Sequence, residues 1–312
     1  ISPSVFRTQK RGGVGVIGAK TKDAEDRIVK ARFGTNHNDL LFFTSLGRVF
    51  ALPMYEIPEA SRTAKGTPVV NLLQLQPGEK VTEILNLSQS IGEYIFFCTT
   101  GGTVKRTSLE QFANIRRSGL IACGLKGEEQ LLWAKVSSDE DEIFIVSRDG
   151  KSIRFKASEI RSMGRSASGV RGIRLKEGDT VVQMDILRDP EARLLVVMEN
   201  GLGKLSKVSQ YREQSRGGSG VKVANITKKT GKVAGARVVN SDVNDADLLL
   251  VTQKGQTMRT QVSQIKTAGR ATQGVIIMRP SAGDKISSIS LIVEKENEVV
   301  EVKKEEDQGK LL

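Results

Sequence analysis

The 312-residue chain carries 48 Lys and Arg against 36 Asp and Glu, a net charge of +12, which points to a nucleic acid or an anionic membrane surface as partner, with solubility alone as the plain alternative. Its length allows one to three domains, and no apolar run approaches the about 18 residues of a membrane-spanning helix. Abundant glycine (31 residues) and few aromatics suit many short strands joined by tight turns better than long helices. Cys98, Cys123 and His37 are too few for a zinc site or a disulfide framework. The cysteines are expected to be small apolar residues in or near strands, in a reducing, cytoplasmic setting. The start I-S-P-S-V-F-R-T-Q-K has no signal-peptide layout and no Met, so a fragment of a longer protein is expected.

The first distinctive stretch, residues 9–15, reads Q-K-R-G-G-V-G, and residues 214–220 repeat it as Q-S-R-G-G-S-G. Its last glycine opens a series: Gly15, Gly66, Gly119, Gly169, Gly220 and Gly274, spaced by 51, 53, 50, 51 and 54 residues. A period near 51 defines a repeat architecture. In phase with it run five hairpin signals, each with glycine in the turn: 40–44 into 49–52 at Gly47, 94–99 into Val104 at Gly102, 142–147 into 153–155 at Gly150, a strand over 194–198 at Gly201, and 248–252 into Met258 at Gly255. After the repeat glycines, pairs of strands are predicted over 69–75 and 81–87, 170–175 and 181–187, 221–226 and 233–239, and 275–279 and 286–293. The stretches 109–115, 158–163, 208–211 and 262–265 read as helical turns at most.

Each period therefore holds about four strands, one blade of a radial all-β array. Five complete units cover roughly 39–293. The first has only a second half, over 16–20 and 27–33, its missing hairpin to come from 298–302 or 1–8. The expectation is a single six-bladed domain over 1–303, closed by the chain termini so that no edge is left open, with a charged tail over 304–312.

Four residues before each repeat glycine stand Arg11, Arg62, Ile115, Arg165, Arg216 and Arg270, with Arg116 and Arg117 directly after the exception. Lys65, Arg161, Lys207, Arg212 and Lys266 fall in the same loops. A charge recurring at one phase of a repeat becomes a belt on one edge of the molecule. Arginine beside glycines that let backbone N–H groups come close suits a phosphate backbone. No base-reading helix or aromatic stacking platform is visible, so duplex DNA bent around a rim with little sequence preference is the expected ligand. A rim of radius ~25 Å would carry ~30 base pairs through half a turn, at a bending cost on the order of 10 kcal/mol that only many contacts could offset.

Residues 9–15 resemble the gyrase A box, the signature of the C-terminal domain of the DNA gyrase A subunit, and the ~51-residue units resemble that family's blades over essentially the whole chain. The resemblance implies a six-bladed β-pinwheel that wraps double-stranded DNA in support of ATP-dependent negative supercoiling. It implies as partners the catalytic core of the gyrase A subunit, together with the gyrase B subunit, in an A2B2 assembly in the bacterial cytoplasm on the nucleoid. It makes Gln9, Lys10, Arg11, Gly12, Gly13 and Gly15 DNA-binding residues, joined by Arg62, Lys65, Arg116, Arg117, Arg165, Lys207, Arg212, Arg216, Lys266 and Arg270 of the belt. Whether the second box at Gln214 shares the first one's role is open.

No catalytic residue, metal site or cofactor is expected in the chain itself. Tyr55, Tyr94 and Tyr211 lack a surrounding cluster of arginine and carboxylates, no G-x-x-x-x-G-K-[ST] loop is present, and D-E-D-E at 139–142 reads as a solvated turn. The alternatives are the corresponding domain of topoisomerase IV, a protein-interaction propeller, and a polyanion or membrane-surface binder. The intact box and the six glycine phases favour gyrase over topoisomerase IV, and arginine at one phase of the repeat speaks against an interaction propeller.

Overall fold

The computed structural model describes residues 38–59, 66–87, 90–243 and 246–292. All five expected hairpins form: β1 (Asp39–Thr44) with β2 (Arg48–Pro53), β4 (Tyr94–Thr99) with β5 (Thr103–Ser108), β8 (Glu142–Ser147) with β9 (Lys151–Lys156), β12 (Arg193–Met198) with β13 (Leu202–Lys207), and β16 (Asp247–Thr252) with β17 (Thr257–Gln261). Each first strand is also paired, antiparallel, with a third strand of its own unit: β3 (Val81–Asn86), β7 (Leu131–Ser137), β11 (Val181–Leu187), β15 (Val233–Val239) and β19 (Ile286–Ile292).

The fourth strand is not where the sequence pattern put it. It comes from the following unit and is two residues long. β6 (Leu120–Ile121) pairs with β2, β10 (Val170–Arg171) with β5, β14 (Val221–Lys222) with β9, and β18 (Val275–Ile276) with β13. The strands predicted over 170–175, 221–226 and 275–279 therefore stop after two residues. The cause is the crossing that follows: Gly172 and Ile173 both donate their amides to the carbonyl of Gly102, which turns the chain off one sheet toward its own. The strand predicted over 69–75 is instead a 3-10 turn, Val69–Asn71. The stretches expected to be helical turns are indeed 3-10 turns, at Leu109–Phe112, Ala157–Glu159, Val208–Gln210 and Val262–Gln264.

The first strands of the first four sheets are almost wholly buried, because both faces of those sheets are covered, whereas β17 of the fifth sheet has no buried residue. Successive side chains go to opposite interfaces. Ile95 and Phe97 of β4 join Phe43 and Val49 of the first sheet, whereas Phe96 and Cys98 join Ile143 and Ile153 of the third. The rings of Phe43 and Phe97 meet edge-on at 5.5 Å. Double-sided burial explains why these strands read as continuous apolar runs rather than alternating ones. Both cysteines are buried and free, as expected.

The third strands of neighbouring sheets lie against one another and form the inner edges. Buried Asp185 on β11 ties three sheets there. It accepts from Lys135 of the second sheet and, at 2.9 Å, from the backbone amide of Val238 in the fourth. The borrowed strands consequently mark the outer edges. The D-E-D-E stretch does more than solvate a turn: Asp139 pairs with Arg106, Asp141 with Arg188 at 2.7 Å, and Glu142 with Arg154 at 2.7 Å.

Five blades are present among the described residues, not the six expected, and the fifth sheet has three strands rather than four. The first half-unit, both termini that were to close the ring, and the tail over 304–312 lie outside the described residues.

The borrowed strand is coupled to the hairpin turn beneath it. Gly201 has φ +82° and a Cβ there would sit 2.0 Å from the carbonyl oxygen of Met278, just past β18, whereas Gly178 has φ +73° with open space around it. Gly178→Ala should cost about 1–2 kcal/mol for the left-handed backbone alone. Gly201→Ala should cost clearly more, and urea unfolding of the two variants measures the difference.

Candidate nucleic-acid interface

The belt is built from the segments that connect a 3-10 turn to a borrowed strand. Three of these straps, residues 161–171, 212–222 and 266–276, climb the outer edge of the preceding sheet in the same way. At the foot, the amides of Met163, Gln214 and Ala268 donate to the carbonyls of Arg106, Arg154 and Leu205 at 2.8–2.9 Å. At the top stands the repeat glycine. A Cβ at Gly169, Gly220 or Gly274 would lie 2.3–2.4 Å from a backbone oxygen of the sheet below, and all three have positive φ. At these three positions the repeat glycine is a close-approach requirement; at Gly119 (φ +77°) a Cβ would meet the Phe50 ring at 2.7 Å, whereas Gly66 has open space around it and no such need.

Arg165, Arg216 and Arg270 sit midway up their straps. The backbone amide of each is held by one side chain at the same place in three successive 3-10 turns: Gln111 at 3.2 Å, Glu159 at 3.1 Å and Gln210 at 2.8 Å. Their guanidinium groups rest on carbonyl oxygens, Arg165 on Gln111 (3.1 Å), Arg216 on Arg171 (3.5 Å) and Arg270 on Lys222 (3.0 Å). None of the three guanidinium groups is paired with a carboxylate among the described residues. They remain available for an anion, and guanidinium suits phosphate because its planar fork can donate two parallel hydrogen bonds.

The straps are also joined to one another. Gly124 donates its amide to the carbonyl of Ala167 (3.1 Å), Arg174 to Gly218 (2.8 Å), and Asn225 to Thr272 (3.2 Å). The second box, residues 214–220, is part of this chain. Gly217, at φ +79°, donates to the carbonyl of Gly172 at 2.6 Å, and the Gly218 carbonyl is the one that accepts from Arg174. Its Gly-Gly pair thus lets the strap backbone bond the strap before it.

Arg212 and Lys266 are exposed at the foot of their straps, in the same position as Arg161, and Lys207 is exposed at the end of β13 opposite Arg193. The strap before β6 is shorter. There Arg117 pairs with Glu56 at 3.0 Å, while Arg116 faces a cleft of about 490 Å³ shared with Asn114, Ile115, Leu120 and Arg165. Gln9, Lys10, Arg11, Gly12, Gly13, Gly15, Arg62 and Lys65 lie outside the described residues.

Two groups escaped the sequence reading. Arg171 and Lys222, exposed on β10 and β14, complete a basic ladder of three steps on each of two straps, Arg161–Arg165–Arg171 and Arg212–Arg216–Lys222. Their position follows the repeat glycine by two, but it holds isoleucine at Ile121 and Ile276, so no series is visible in the sequence. The others are Lys105 and Lys204, fully buried beneath two of the straps. Burial pushes both ammonium groups down from 10.5 to about 8, which leaves them protonated at neutral pH.

Residues 1–33, 38–88, 93–138, 141–188, 193–240 and 246–292 match the family described as DNA gyrase C-terminal domain, beta-propeller. The chain belongs to that family. It is 38% identical over 297 residues to the DNA gyrase A subunit of Staphylococcus epidermidis, and 39% identical over 293 residues to that of Escherichia coli. These alignments cover 94% and 93% of the chain but 33% of each relative, so the chain spans about a third of their length. The backbone is similar to a solved C-terminal domain of DNA topoisomerase IV (TM-score 0.76, 23% identity, 83% of this chain and 80% of that one). It is also similar to a solved DNA gyrase A C-terminal domain (TM-score 0.70, 23% identity, 94% and 95%). At that identity both show the shared propeller fold alone, and the family membership rests on the sequence match.

The clasp on each strap arginine is testable singly. Gln210→Ala should cost about 1 kcal/mol locally, so that amide hydrogen exchange at Arg270 speeds about fivefold while the amides of β13 exchange as before.

Proposed function

We propose that the domain binds double-stranded DNA along its outer rim and bends or wraps it without reading base sequence. In the parent enzyme, DNA gyrase, that wrapping would serve ATP-dependent negative supercoiling. The cutting and ATP chemistry would be carried by the rest of the gyrase A subunit, together with the gyrase B subunit, in an A2B2 assembly in the bacterial cytoplasm, at the nucleoid. The domain itself works without a cofactor.

One observation carries the reading: arginines whose guanidinium groups pair with no carboxylate among the described residues stand at the same height on successive straps, all on the outer edge. The basic ladders beside them widen the track. A duplex laid across these straps would meet phosphate-binding groups at each blade in turn. Such contacts position a backbone and carry no sequence information. Arg11, in the box at 9–15, and Arg62 share the phase in the sequence and are included in the proposed DNA site on that ground. The topoisomerase IV reading is disfavoured by that intact box.

The test is the salt dependence of duplex binding. The fivefold variant with Arg11, Arg62, Arg165, Arg216 and Arg270 all changed to Ala should keep its fold by circular dichroism. Its plot of log affinity against log salt should flatten by roughly 0.9 for each phosphate no longer held. An unchanged slope in a folded variant would remove the belt as the DNA site.

A further inference from the structure

Lys105 and Lys204 stand at equivalent places in β5 and β13, each directly after the residue paired with the last ladder position of the first strand (Cys98↔Val104, Val197↔Gly203). Both are 0% exposed. A buried ammonium is tolerated when its donors are satisfied, and here the straps supply the partners, with one further carbonyl just past β6 at Lys105. Lys105 Nζ donates to the carbonyls of Ala122 (2.8 Å), Gly164 (2.9 Å), Arg165 and Ala167 (3.2 Å). Lys204 Nζ donates to the carbonyls of Gly269 (2.7 Å), Arg270 (2.6 Å) and Thr272 (3.1 Å), and to Thr272 Oγ1 at 3.3 Å. Counted back from the repeat glycine, Gly164, Arg165 and Ala167 occupy the same strap positions as Gly269, Arg270 and Thr272. The same three carbonyls are therefore gripped in two units, and the middle one belongs to the rim arginine.

The intervening unit makes the comparison. There the equivalent residue is Ile153, following Ser152 in the register Val146↔Ser152. The strap above it is the glycine box, which has no lysine to hold it and instead ties Gly217 to the carbonyl of Gly172. The lysine-bound straps carry Ser166 and Ala271 where the box has Gly217. Two constructions thus place an arginine at one height on the rim: a buried ammonium that gathers the strap's carbonyls from below, and a glycine pair that lets the strap bond its neighbour.

We propose that Lys105 and Lys204 are positioning residues for DNA binding, which never touch DNA but fix the backbone on both sides of Arg165 and Arg270 so that these arginines face phosphate already ordered. Binding then avoids the cost of ordering two straps on contact. The inference rests on the DNA reading given above.

The experiment is a set of double-mutant cycles in the 312-residue chain, read as the salt slope of affinity for a linear duplex, with thermal midpoints measured in parallel. Arg165→Ala and Arg270→Ala should each lower the slope by roughly 0.9. Lys105→Met and Lys204→Met should lower it by the same amount, and Lys105→Met/Arg165→Ala should fall no further than either alone. Lys105→Met/Arg216→Ala should show the sum of its two parts. Where a Met variant does not fold, Lys105→Gln or Lys204→Gln takes its place. Gln keeps two N–H donors, too few for the carbonyl cluster, and its slope should still fall. A folded lysine variant with a lower midpoint and an unchanged slope would reduce the lysines to structural residues and overturn the proposal. Additive losses for Lys105 and Arg165 would overturn it as well. If Arg165→Ala and Arg270→Ala themselves leave the slope unchanged, the DNA reading fails first and the lysine inference falls with it.

Discussion

Each of the four-stranded sheets among the described residues borrows its outermost strand from the unit that follows. A two-residue ladder such as Val170–Arg171 on β5 is slight in itself, yet it fixes where the whole strap runs. It forces glycine at the point of closest approach, because at Gly169 any Cβ would collide with the carbonyl of Val104. It removes the open edge that β5 would otherwise present. It also sets each strap beside the next, so that Gly124, Arg174 and Asn225 can link the straps into one hydrogen-bonded series. The inner edges are fixed separately, by the packed third strands and by Asp185 bridging Lys135 and the amide of Val238.

The proposed wrapping places a demand on this arrangement. Bending ~30 base pairs around the rim would cost on the order of 10 kcal/mol, which would have to be recovered from many modest phosphate contacts at fixed heights. Arginines on independent loops would each have to be ordered on contact. Here the backbone of each is held at the amide by Gln111, Glu159 or Gln210, and at Arg165 and Arg270 a buried lysine holds the carbonyl as well. Surface charge and core packing meet at Lys105: its ammonium lies 5.5 Å from the centroid of Phe97, one of the rings that weld the first two sheets.

The hairpins were legible in the sequence because their apolar runs end at glycines of one phase, and a run such as I-F-F-C over 95–98 cannot stay wet on either face. The arginine phase was legible for the same reason, repetition. The short borrowed strands were not. Residues 170–175 look like a strand throughout, but Ile173 is buried at a sheet interface and its amide is spent on the turn at Gly102. The two lysines were invisible in a different way. A lysine in a strand ordinarily faces water. Nothing local to Lys105 announces that a loop 59 to 62 residues later will bring carbonyls to its ammonium. The count of six units came from glycines in stretches that include residues 1–37, and those lie outside the five sheets described.

Wrapping with a fixed sense is the property on which the functional reading stands, and topology measures it without reference to affinity. A relaxed DNA circle carrying a single nick would be bound by the domain, sealed by ligase, and stripped of protein. A rim that wraps DNA in one sense predicts closed circles whose linking number shifts in one direction, in proportion to the amount of domain bound. Circles that bind the domain fully yet close with an unshifted linking number would contradict wrapping and leave only charge-driven attachment to DNA.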